Sequence, residues 1–254
     1  MLVSLADDEV GDRTPSGWLI RGESVVDYAK AQVERYWERS EAMLVHKDAP
    51  IGRDAALKAV VWLKRNFGRE IEEAVKGSAY SVDTICGIAC QETAYFWVNM
   101  LERLTPEQVC ARCVLDASGD APGTVRRAFP RNTSAFRREY GDERTQMLIE
   151  EANKTRALRG YPHKDWVYKG YGIFQYDLQF VKVDPDFFFE KQWYNFSACL
   201  DRVMRELRTT WTRHGNLFEA IRAYNGSGRG AAVYAQNVVA YSGFAGETTG
   251  TMPA

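Results

Sequence analysis

No stretch of this 254-residue chain approaches the roughly eighteen consecutive apolar residues of a membrane-crossing helix, so no membrane span is expected. The beginning also lacks the basic region and apolar run of a secretory leader, and carries Asp7, Asp8, Glu9 and Asp12 instead. Excess charge is missing too: thirty-three Lys and Arg against thirty-four Asp and Glu leave a formal net charge of −1. A chain without a global field gives no sign of a nucleic-acid partner. Histidine is scarce, with His46, His163 and His214 scattered. Cys110 and Cys113 form a lone C-x-x-C, for which plain core or surface thiols are favoured over a zinc site. The five cysteines are odd in number, and Cys86 and Cys90 stand one helical turn apart, where a mutual bridge is disfavoured. Mostly reduced thiols, no metal and no cofactor are the expectation. Repeats and low-complexity tracts are absent.

What is present is enough for a core. Hydrophobic residues make up 45% and aromatics 13%, and aromatic rings line sugar grooves as well as interiors. Residues 1–22 are polar and punctuated by Gly11, Pro15, Gly17 and Gly22, which suggests a poorly ordered lead-in. Helical spacing of apolar residues then predicts helices over about 24–45, 53–76 and 81–103. From about 104 to 164 the texture changes: prolines, glycines and Arg126, Arg127, Arg131, Arg137 and Arg138 read as an insertion with one helix near 142–158 and a solvated basic face. Residues 166–176 read as a short strand or hairpin. Helices are expected again over about 186–213, 216–224 and 230–241, before a fraying tail at 246–254.

Three constellations carry chemistry. Glu92 stands seven residues after Ile85 and four before Phe96, on the same stripe as Ile88 and Ala89. Burial there favours the neutral carboxyl, which is what a proton donor needs near neutral pH; the bland alternative is a stripe-edge Glu that snorkels or pairs with Arg103. The second is Gly170-Tyr171-Gly172-Ile173-Phe174-Gln175-Tyr176-Asp177, either a bulged strand with a capping Asp177 or a substrate wall. The third is Ala223-Tyr224-Asn225-Gly226, followed by Tyr234-Ala235 and an apolar helix; alone, Asn-Gly reads as a helix terminus.

Together, GIACQETAYFW at 87–97, GYGIFQYD at 170–177, AIRAYNGSG at 220–228 and YAQNVVAY at 234–241 resemble the goose-type lysozymes and soluble lytic transglycosylases of glycoside hydrolase family 23, over about residues 75–245. Order makes the set more specific than any single motif, although the usual AYNAG is AYNGS here and the usual Ser after the acid is Thr93. The resemblance implies a mainly α-helical, lysozyme-like domain over 78–245 with a small β-hairpin beside a cleft, and the helices of 23–77 packed on it. It implies Glu92 as catalytic acid, Tyr171, Gly172, Gln175, Tyr224 and Asn225 as substrate contacts, and Asp177, with Asp165 as a looser match, positioning the attacking water.

The implied partner is peptidoglycan, cut at the β-1,4 bond between N-acetylmuramic acid and N-acetylglucosamine, with chitin as the runner-up polymer. A lytic transglycosylase giving 1,6-anhydro ends is the close alternative. A non-catalytic wall-binding module is the alternative of another class, which the retention of Glu92 on an apolar stripe disfavours. Action on the wall, in the periplasm or outside the cell, would then follow phage lysis or export without a Sec leader. An inhibitor or immunity protein is left unspecified.

Overall fold

The computed structural model describes residues 46–248, so the expected lead-in, the helix over about 24–45 and the tail beyond 248 lie outside the described residues. Among the described residues the fold is mainly helical with a small three-stranded antiparallel sheet, in line with the fold class expected. Helix α1, Arg53–Val75, matches its apolar period and buries Ala56, Val60, Leu63 and Ile71. Helix α2, Val82–Ala89, starts where Ser81 Oγ accepts the Thr84 N–H at 3.1 Å, an N-cap that satisfies an orphan donor. It packs between α1 and the last helix, α9, Gly228–Glu247. Gly87 permits that approach, because a Cβ there would meet Ser242 Oγ and the Val238 carbonyl at 2.7 Å. Lys64 of α1 clamps the trio, pairing with Asp83 at 2.7 Å and donating to the Ala245 carbonyl at 2.8 Å.

Where one helix over 81–103 was expected, the chain passes into a π turn at Cys90–Ala94 and a short α3, Tyr95–Trp97. The segment after it, read as an insertion over about 104–164, contributes to the sheet and to the core. It holds α4, Pro106–Arg112, opened by a Thr105/Gln108 capping box, then strand β1, Val114–Leu115, and α5, Thr133–Leu158, kinked at Gly141. Strand β1 pairs with β2, Gly170–Tyr171, which pairs with β3, Tyr176–Asp177, with Leu115 opposite Gly170 and Gly170 opposite Asp177. The expected hairpin is thus completed by the supposed insertion. Its arginines divide: Arg127, Arg131 and Arg138 are exposed, but the Arg126 side chain is only 7% exposed, so a uniformly solvated basic face is corrected.

The expected helix over 186–213 is likewise divided, into α6, Pro185–Phe189, a 3-10 turn, and α7, Phe196–His214. Lys191 takes a left-handed φ of 55°, and Asn195 restarts the helix by accepting the Ala198 N–H at 3.0 Å. Helix α8, Leu217–Asn225, follows a left-handed Gly215 and agrees with expectation, whereas α9 outruns its expected end by several residues.

Helix α5 carries the most heavily paired carboxylate of the described residues. Glu151, fully buried, accepts from Lys154 at 2.7 Å, Lys191 at 2.9 Å, Arg112 at 2.8 Å and the Tyr194 hydroxyl at 2.6 Å. Burial alone would push its carboxyl up, but those four donors outweigh it and hold the group down at about 2. With the folded-state value below the ordinary one, the stabilisation is full above about pH 4.5 and is lost as pH falls towards about 2. Glu151→Ala, which strands Arg112 without its partner, is expected to lose on the order of 3–5 kcal/mol at pH 7. Urea unfolding should find that gap narrowed at pH 2.5; a constant gap would mean that packing, not charge, is the contribution.

Candidate active site

A cleft of about 470 Å³ opens between the π turn, the sheet, α7 and the end of α8, and its walls include Glu92, Tyr95, Gln175, Asp177, Glu206 and Asn225. Glu92 enters it because of the π turn. The wider i→i+5 turn brings Thr93 and Ala94 into the core with Phe96 and Trp97, and leaves Glu92 half-buried at the rim. Thr93 then fixes the turn to the hairpin: its hydroxyl donates to the Ile173 carbonyl at 2.8 Å and accepts the Trp97 indole N–H at 2.9 Å.

Glu92 has one side-chain hydrogen-bond partner among the described residues, the Tyr234 hydroxyl of α9, which donates to Oε1 at 2.6 Å. Removal from water pushes its carboxyl up to about 7 and the repulsion of Glu206 adds to this; the Tyr234 bond and the charge of Lys169 only partly offset them. Lys169 is itself paired with Asp116 at 2.8 Å. A group poised in this way is neutral in mildly acidic water and can give up its proton near pH 7.

The remaining expected residues separate into two sets. Gln175, Tyr224, Asn225 and Asp177 reach the cleft. The Gln175 amide spans the hairpin, donating to the Cys113 carbonyl at 3.1 Å and the Gly172 carbonyl at 2.9 Å. Gly170 leaves it room, since a Cβ there would collide with the Gln175 carboxamide. The Tyr224 hydroxyl donates to the Phe174 carbonyl at 3.3 Å, and Asn225 stands exposed at the end of α8. Asp177 meets Arg126, whose guanidinium bonds its two oxygens at 2.6 and 3.1 Å, and it also accepts the Gln179 N–H at 2.7 Å. Arg126 is in turn held by the Pro130 carbonyl at 3.0 Å and the Phe129 carbonyl at 2.8 Å.

Three expected residues stay outside. Tyr171 is 0% exposed, with its ring against Phe188 and Trp193 at 5.3 and 4.8 Å, because strand alternation turns it into the core. Gly172 adopts φ +77° facing Cys199 and Trp193, so it serves the turn and the packing beneath it. The Asp165 side chain is 74% exposed on a loop anchored by Asn153 and Arg156, where it meets Arg137 at 3.4 Å. Neither Tyr171, Gly172 nor Asp165 lines the cleft.

Two residues not expected from the sequence also meet the site: Tyr234, which bonds Glu92, and Glu206, which lines the cleft. Tyr234 could have been found from its place at the head of an apolar helix in the YAQNVVAY motif, but its bond to Glu92 spans 142 positions. Glu206 stands on α7 beside the apolar Val203 and Leu207, and its signal was the same stripe-edge placement as that of Glu92. All five cysteines are free and buried, Cys110 and Cys113 included. Among the described residues no helix is long and apolar enough to cross a membrane. Comparison with protein-family models, curated proteins and solved structures finds no match.

Proposed function

We propose that this chain is a muramidase, a glycosidase that cuts the β-1,4 bond between N-acetylmuramic acid and N-acetylglucosamine in peptidoglycan strands, with Glu92 protonating the leaving oxygen. The observation that carries the reading is the Glu92 carboxyl, pushed up to about 7 at the rim of an open cleft and held by Tyr234. A neutral carboxyl near pH 7 is the donor that glycosidic cleavage requires, since the leaving alkoxide is otherwise too basic to depart. The wall suits a sugar: Tyr95 offers a ring 41% exposed, and Gln175 and Asn225 bring amides. The order of the GIACQET, GYGIFQYD and AYNG motifs supports this chemistry, and the place of action would be the bacterial wall. Chitin shares the linkage and the N-acetyl groups and is the competing polymer.

One observation favours a second reading within the same chemistry. Arg126 occupies both oxygens of Asp177, the aspartate that the resemblance assigns to the attacking water. With Asp177 held in this way, Glu92, ionised once it has given its proton to the leaving oxygen, can take the proton of the sugar's own hydroxyl as that hydroxyl attacks, as in a lytic transglycosylase. Zymography on purified peptidoglycan and on chitin tests the polymer, and the product mass separates the routes, since an anhydro end is one water lighter. Clearing of neither polymer at any pH from 4 to 8 would refute both.

A further inference from the structure

Glu206 reaches the cleft from α7, on a different element from Glu92, and among the described residues no hydrogen-bond donor or ion-pair partner meets its carboxylate. The neighbouring Arg205 turns away to Asp184 at 3.6 Å and Asp201 at 3.4 Å. The cation that lines the cleft, Lys169, pairs with Asp116 instead, and a half-buried carboxylate with no cation against it is costly unless it has a proton to exchange. We infer that Glu206, rather than Asp177, is the second catalytic carboxyl of the cleft, taking a proton from the water that attacks the sugar; this presupposes the glycosidase chemistry proposed above.

The step balances. Neutral Glu92 passes its proton to the glycosidic oxygen as the bond from that oxygen to the anomeric carbon breaks. The carboxylate of Glu206 removes a proton from water as the water oxygen bonds that carbon from the opposite face. One water is consumed, and solvent returns a proton from Glu206 to Glu92. Burial, first, and the charge of Asp177, second, push Glu206 up to about 7, against the pull of Arg205. Sharing its surroundings from the other elements are Glu92, Asp177, Lys169, Tyr176, Tyr224 and Tyr234; Asp177 is paired with Arg126 and Lys169 with Asp116, and burial pushes the three phenols up, so that they stay protonated. Two mutually repelling carboxyls with similar affinities hold one proton between them near neutrality, which supplies one acid and one base. A carboxylate of raised affinity is also the better base.

Turnover of peptidoglycan by Glu206→Gln, Glu206→Ala and Glu92→Gln tests the assignment, with melting temperature, pH profile and product mass from the same preparations. Glu206→Gln should be slower by roughly 10²–10⁴-fold with no loss of melting temperature at pH 7, and its residual activity should lack the acidic limb of the profile. Sodium azide should rescue Glu206→Ala, releasing a glycosyl azide of inverted configuration, and should not rescue Glu92→Gln. Near wild-type turnover by Glu206→Gln beside an inactive Glu92→Gln would overturn the assignment and leave the glycosidase standing. So would anhydro products formed at equal rates by wild type and Glu206→Gln, or an inactive Glu206→Ala that melts early and ignores azide. Full activity in Glu92→Gln would instead remove the glycosidase reading itself.

Discussion

Glu92→Gln is expected to lower turnover by roughly 10²–10⁴-fold and, at the same time, to raise the stability of the fold at pH 8. The first effect follows from chemistry, because an amide cannot donate the proton. The second follows from linkage. The Glu92 carboxyl binds its proton more tightly in the folded chain, at about 7, than at its ordinary value of 4.5. Its contribution is therefore full below pH 4.5 and is lost as pH rises through about 7. Those values bound the loss at on the order of 3 kcal/mol, and contact with solvent at the cleft rim reduces it to about 1–2 kcal/mol. Gln has no charge to bury, so urea unfolding should find variant and wild type alike at pH 4 and the variant ahead at pH 8. Equal stability at both values, with near wild-type turnover, would make Glu92 an ordinary rim carboxylate.

The placing of Glu92 against an apolar surface was legible in the chain to the extent that it is local. Ile85, Ile88 and Ala89 recur at helical spacing, so a carboxyl at Glu92 could be placed against an apolar surface without coordinates. The same spacing located α1 and α8, whose ends carry their own signals in Gly52, Gly215 and Asn216. The π turn carried no such signal, since one changed hydrogen-bond step leaves the apolar order nearly intact. Strand β1 has two residues, too few to show alternation, and its partners lie more than fifty positions on, so the stretch holding it looked like an insertion. Strand alternation, applied to the GYG hairpin, would have sent Tyr171 and its neighbours to opposite faces; only the pairing decides which face is the core.

The bond between Arg126 and Asp177 is the sharpest case of information that local pattern does not hold, and it leads to the second large effect. Fifty-one positions separate the two residues, and the arginine stands in a basic series that looks solvated. In the fold its side chain is 7% exposed and it ties the 126–130 loop to the end of β3 through Asp177 and the Phe129 and Pro130 carbonyls. Arg126→Met should therefore cost on the order of 3–5 kcal/mol, unlike Arg127→Met or Arg138→Met, whose exposed charges are worth about 0–1 kcal/mol. The loss has two parts, the unsatisfied carbonyls and an Asp177 left with only the Gln179 N–H. Asp177→Asn keeps an acceptor for that N–H and weakens only the charge-assisted part, so it should lose less stability and retain turnover within about tenfold, short of the 10²–10⁴-fold loss of a removed base. A double-mutant cycle on the pair, read by urea unfolding, should return a coupling well above 1 kcal/mol. A strong rate loss in Asp177→Asn at unchanged stability would restore Asp177 as the residue that positions water and make Arg126 the group that orients it.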